Sequence, residues 1–219
     1  MKFKVKEFRT ENEYYESSHE DLGSEFCETM VVKDVPEDEK DHMCRFCWTN
    51  TDSEDNPKVQ ACKCTGSVKY VHFFCLQKWL ETKMQTKQTD NHHTLSWKQF
   101  QCEICMQHLA YSFWYKERIW NLVNFPRPED EATPYIILES MDLEKNSSRI
   151  IHTVMASDSK SKFSLGRGHE SDLRINDISV SRLHAHLEYK EGEGWILVDC
   201  RSKFGTLALF QQPLPLELD

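Results

Sequence analysis

CRFC at 44–47, CKC at 62–64, HFFC at 72–75 and CEIC at 102–105 decide how this chain folds. Each segment sets two soft donors one or two residues apart, close enough to grip one metal ion. Tetrahedral sets of thiolate and imidazole favour zinc, which takes four ligands in a closed structural site. Seven cysteines and one histidine therefore make two centres. Four pairs spread over about sixty residues cannot all meet at one ion. A cross-brace, in which alternate pairs share a metal, satisfies them. The expected sets are Cys44, Cys47, His72 and Cys75 on one zinc, and Cys62, Cys64, Cys102 and Cys105 on the other. Disulfides are the competing use of paired cysteines. No signal-peptide pattern opens the chain and the total of nine cysteines is odd, so a reducing compartment is expected.

The order CRFC, CKC, HFFCLQKWL, CEIC resembles the RING-CH domain, a RING variant with cysteine at the fourth ligand. Trp79, four residues after Cys75, and the C-x-C pair ahead of His72 belong to that pattern. PHD fingers also use seven cysteines and one histidine. Their tryptophan lies about two residues before the last cysteine pair, where this chain has Phe100. The resemblance implies a ubiquitin-conjugating enzyme as partner, docked on a groove between the zinc loops and the helix after Cys75. Phe46 and Trp79 are the implied apolar contacts. Such domains act by orienting a charged conjugating enzyme, with no covalent intermediate of their own. Many active RING domains carry a basic residue at or just after the last pair; here it is Met106.

The chain has 219 residues and a formal net charge of −9, which argues against a general nucleic-acid binder. No apolar run approaches the roughly 18 residues that cross a bilayer, so no membrane span is expected. Between Glu11 and Asp41 there are twelve Asp/Glu against two Lys/Arg, a net of −10. This acidic arm reads either as a solvated tail or as a docking arm for a larger assembly. Ahead of it, Phe3, Val5 and Phe8 alternate with lysines, as in a short strand.

Past the second pair, Gly66 permits a turn, and Val68, Tyr70 and Val71 run as a strand into His72. A helix follows from Phe74. The polar insert from Glu81 to Gln101 reads as a loop. Its adjacent His92 and His93 fall outside the ligand sets, and Trp97 and Phe100 anchor its exit on the zinc core. From Leu109 to Phe125 the aromatics read as strands joined at Lys116-Glu117, with a helix as the alternative. Pro126-Arg127-Pro128 then opens a short linker.

After Pro134, strand-like runs recur at Tyr135–Met141, Arg149–Ala156, Lys162–Leu165, Leu187–Tyr189 and Trp195–Asp199, the spacing of a sandwich. Among them stand Gly166-Arg167, Ser181-Arg182-Leu183-His184 and Gly205-Thr206. This order resembles the forkhead-associated (FHA) domain, a phosphothreonine-binding sandwich. The resemblance implies that Arg167 and Ser181 hold the phosphate, Arg182 assists, and His184 ties the recognition loops. Leu165, Leu183, Ala185 and Leu187 are expected in the core, as is Cys200. The family's Asn before Gly-Thr is replaced by Phe204, and few residues remain for the last strands.

The expected fold is α+β: an acidic arm (1–40), a RING-CH zinc domain (41–108), an aromatic connector (109–133) and an FHA-like sandwich short of its last strands (134–219). The expected function is a ubiquitin-ligase-type adaptor with two zinc ions. It would recruit a conjugating enzyme through one domain and a phosphothreonine protein through the other, in the cytoplasm; nucleus and cytoskeleton also fit. The alternative is a non-catalytic scaffold subunit of a larger assembly.

Overall fold

The computed structural model describes residues 3–8, 29–32, 34–130, 132–140 and 148–207. Most of the acidic arm, Cys27 and the last twelve positions lie outside them. The chain divides into two compact units, Lys2–Val154 and Met155–Asp219.

The first unit is built on the zinc-type pairs. Strands β3 (Lys58–Val59) and β4 (Val71–His72) pair antiparallel and deliver His72 beside Lys58. A 3-10 turn at Gly66–Val68 precedes β4. Gly66 sits at φ +64, and a Cβ there would meet nothing, so the backbone conformation alone selects glycine. Helix α1 (Phe73–Glu81) follows at once. Its free N-terminal amides are taken by the Pro57 carbonyl, 2.9 Å from Phe73 N, and by Asn56 Oδ1, 2.9 Å from Phe74 N. Thr82 Oγ1 closes the other end on the Trp79 carbonyl at 2.6 Å. Phe73, Leu76 and Leu80 bury one face, each contributing about 1.5–3 kcal/mol.

The insert after α1 is a hairpin, not a loop. Strands β5 (Gln85–Thr89) and β6 (His92–Trp97) pair from Gln85–Ser96 to Thr89–His92. Asp90-Asn91 forms the turn. The run is polar because every β5 residue is exposed, which hides the strand period from a hydrophobicity reading. Trp97 and Phe100 stack at 5.8 Å between centroids and both are buried, as expected.

The aromatic connector forms strands β7 (Ser112–Tyr115) and β8 (Arg118–Asn121). Lys116 and Glu117 make the turn at φ 47° and 61°, the paired positive angles of a tight hairpin. Strand β2 (Thr29–Val31) adds in parallel to β7. Phe113 and Trp120 pack edge-on against Phe73 of α1, so the connector belongs to the zinc unit's core.

Strand β1 (Phe3–Phe8) pairs with β9 (Tyr135–Ser140), and β10 (Arg149–Met155) pairs with β6. The resulting sheet has the order β1-β9-β10-β6-β5. Within it His92 Nε2 lies 3.0 Å from His152 Nδ1, and Thr94 Oγ1 is 3.1 Å from each. Burial, then the neighbouring His92, lowers His152 to about 3.

The second unit is β-rich. Strands β11 (Lys162–Gly166), β12 (Leu173–Arg174), β13 (Ala185–Lys190) and β14 (Gly194–Asp199) form a sheet of order β12-β11-β13-β14. Phe163, Leu165, Ala185 and Leu187 alternate into its core beside Leu173 and Ile175. Leu183, expected there, is 46% exposed because it precedes β13 in a loop. Cys200 is half-buried just beyond β14. With one α-helix among the described residues and two β-rich units, the class is α+β.

Candidate functional site

The structure brings the eight expected ligands together in the two expected sets. The donor atoms of Cys44, Cys47, His72 and Cys75 lie within 4.8 Å of one another, as do those of Cys62, Cys64, Cys102 and Cys105. All eight described cysteines are free thiols.

The two x-x-bounded pairs at 44–47 and 102–105 fold identically. Trp48 N–H donates to the Cys44 carbonyl and Met106 N–H to the Cys102 carbonyl, each at 2.9 Å. Cys44 N–H donates to Thr49 O at 2.8 Å, Cys102 N–H to Gln107 O at 2.9 Å. Trp48 and Met106 both adopt positive φ, at 59° and 58°. A left-handed non-glycine residue costs about 1–2 kcal/mol, which the metal-binding knuckle must offset. No glycine marks either position, so nothing in the sequence announced it.

The ring orientation of His72 separates its two nitrogens. Nδ1 faces Cys47 Sγ at 3.2 Å and Cys75 Sγ at 3.8 Å, while Nε2 meets the Thr51 carbonyl. Nε2–H donating to that carbonyl leaves Nδ1 as the lone-pair nitrogen for a metal.

The thiols of each set compete when only protons balance them. Burial, then the Cys44 charge, pushes Cys75 up to about 12, while the Thr49 hydroxyl draws Cys47 down to about 6. Burial, then Cys62, pushes Cys64 up to about 12. At Cys102 burial acts upward, but the backbone N–H groups of Cys105 and Ile104 overcome it and bring the thiol to about 6. A dication removes the conflict, because every ligand binds it deprotonated. Donor number, donor type and closeness all fit a zinc ion in each set.

Lys58 was not foreseen. It is 1% exposed, and its Nζ donates to the carbonyls of Lys40 at 2.7 Å and His42 at 2.8 Å. It thereby fastens the segment leading to Cys44. Phe46 and Trp79 stack at 5.8 Å between centroids, both half-buried. Ile104, the counterpart of Phe46 in the second knuckle, is 59% exposed.

The second unit's candidate loops are set by backbone contacts. Arg167 N–H donates to Ser181 O and Gly168 N–H to Arg182 O, each at 2.9 Å. A Cβ on Gly166 would lie 2.0 Å from the Arg182 carbonyl, so only glycine lets these segments touch. His184 Nδ1 accepts from Ser181 N–H at 3.2 Å, and Ser181 Oγ accepts from Lys203 N–H at 3.1 Å. The Ser181 hydroxyl hydrogen is left to donate. Arg167 and Arg182 are exposed, as is Phe204.

The RING-variant domain profile matches residues 44–105, and the FHA domain profile matches residues 163–216. This chain carries a RING-variant domain and an FHA domain. It is similar to E3 ubiquitin-protein ligase MARCHF7 of Rattus norvegicus, 29% identical over 74% of this chain and 21% of that protein. The MARCHF7 of Pongo abelii is 30% identical over the same shares. ERAD-associated E3 ubiquitin-protein ligase DOA10 of Saccharomyces cerevisiae is 48% identical over 40 residues, 18% of this chain and 3% of that protein. The chain thus spans about a fifth of the length of the MARCHF7 relatives. No solved structure matches. Among the described residues no helix is long and apolar enough to cross a membrane.

Proposed function

We propose that this chain is a ubiquitin-ligase-type adaptor of the cytoplasm. Its RING-CH domain recruits a ubiquitin-conjugating enzyme, and its FHA domain recruits a phosphothreonine protein. The observation that carries the reading is the pair of closed four-donor sets, with Phe46, from between two ligands of the first, stacked on Trp79. Protein donors fill all four positions at each centre, so the zinc ions supply rigidity and no open Lewis-acid site. Phe46, Trp79 and Ile104 then present fixed apolar contacts to the conjugating enzyme. Catalysis follows from holding the charged enzyme in an attack-ready orientation.

On the second unit, Arg167 offers a planar cation and Ser181 a hydroxyl donor to a phosphate. Their loops are pre-ordered by Gly166, His184 and Lys203, so binding orders little new chain. Titrating labelled chain with a panel of conjugating enzymes tests the first contact. Resonances of Phe46, Trp79 and Ile104 should move with one member. No movement across the panel contradicts it.

A second reading, a non-catalytic scaffold held in a larger assembly through the acidic arm, has two residues in its favour. Met106 stands where many active RING domains carry a cation, and Phe204 where the FHA pattern usually has Asn. Under that reading the panel gives no movement, and phosphate-independent partners bind instead.

A further inference from the structure

Arg45 lies between two ligands of the first set, yet its side chain serves the second. Its Nη1 is 3.6 Å from Cys62 Sγ, 3.7 Å from Cys64 Sγ and 3.6 Å from Cys102 Sγ. The same nitrogen lies 3.4 Å from the Val68 carbonyl. The Arg45 backbone N–H donates to Tyr70 O at 3.1 Å, fixing where the side chain departs. One guanidinium nitrogen therefore covers the face made by three of the four sulfurs.

The charges of the two sets differ. Four thiolates around a dication leave two excess negative charges; three thiolates with a neutral imidazole leave one. We propose that Arg45 is a positioning residue for the four-cysteine centre. It donates to the thiolates, offsets one excess charge, and clamps the first knuckle to the second centre. Because Phe46 follows it in the chain, with the Arg45 Cζ 5.2 Å from the Phe46 ring centroid, the clamp also fixes that ring's approach. A lysine keeps the charge as a compact ammonium on a flexible stem, without the backing that the Val68 carbonyl and the Phe46 ring give the Arg45 guanidinium.

The test is zinc transfer from the intact chain to a coloured chelator, with Arg45→Met and Arg45→Lys. Outer-shell partners of metal ligands are worth about 10–100-fold in affinity. In Arg45→Met one zinc per chain should leave at least about ten-fold faster, and the other within about two-fold of wild type. Cobalt substitution should show the sulfur-to-metal charge-transfer band at longer wavelength, since thiolates lose their donors. Arg45→Lys should fall between. Wild-type release of both ions from Arg45→Met, or equal acceleration of both, overturns the proposal. Should Arg45→Met fail to fold, Arg45→Lys decides: faster release of one ion supports the clamp, and wild-type release of both overturns it.

Discussion

The two candidate sites of this chain are ordered by opposite means. In the zinc unit, donors spread over about sixty residues converge on two points, and a dication at each removes the conflict between their charges. The knuckles even hold Trp48 and Met106 in left-handed conformations. At the FHA loops the order comes from the chain's own backbone. Backbone hydrogen bonds from Arg167 and Gly168 fix the loop at 181–182, and a glycine contact lets it close. The first site depends on its cofactor; the second is held by the chain's own hydrogen bonds. Metal loss should therefore unfold one and spare the other.

Cys102→Ser attacks this contrast hardest. It should leave one zinc per chain and collapse the hairpin at Gln85–Trp97, while the FHA loops keep their native amide shifts. Two zincs retained, measured by mass spectrometry under native conditions, would sink the ligand assignment. Lys58→Met probes how far the zinc unit depends on its non-metal fasteners. Leaving the carbonyls of Lys40 and His42 without their donor should cost about 2 kcal/mol in denaturant unfolding. An unchanged midpoint would mean those carbonyls find other donors.

On the pre-built side, Arg167→Ala should weaken phosphothreonine peptide capture at least about ten-fold. The melting temperature should move by no more than about 2 °C, because the side chain is exposed. A wild-type chain that binds no member of a diverse phosphopeptide library contradicts the reader role outright. The smallest effect concerns the loop after β14. Thr206 Oγ1, then Ser202, hold the Asp199 carboxylate at about 2, below its ordinary 3.8. A depressed carboxyl contributes order that is intact above its ordinary value and is lost as pH falls through the lower one. The Ser202 amide shift should titrate near pH 2; a midpoint near 3.8 would remove the contact from solution.

The metal sites were legible because zinc imposes chemistry and spacing that few other uses of cysteine share. The helix after His72 and the hairpin at Lys116-Glu117 were legible from apolar spacing and aromatic density. The insert hairpin escaped because β5 is polar throughout, and its stability comes from pairing with β6. Arg45 and Lys58 escaped for another reason. Their roles depend on which sulfurs and carbonyls fold against them, and a lone basic residue in sequence reads as solvated surface. Leu183 failed in the opposite sense, an apolar residue in the loop before β13 that never reaches the sheet.

The most direct measurement is discharge of ubiquitin from a panel of charged conjugating enzymes onto free lysine, comparing wild type with Phe46→Ala. Both chains must first be shown to hold two zincs. The account predicts acceleration by wild type with at least one enzyme, falling about ten-fold in Phe46→Ala. No acceleration across the panel, or equal acceleration by Phe46→Ala, would contradict it.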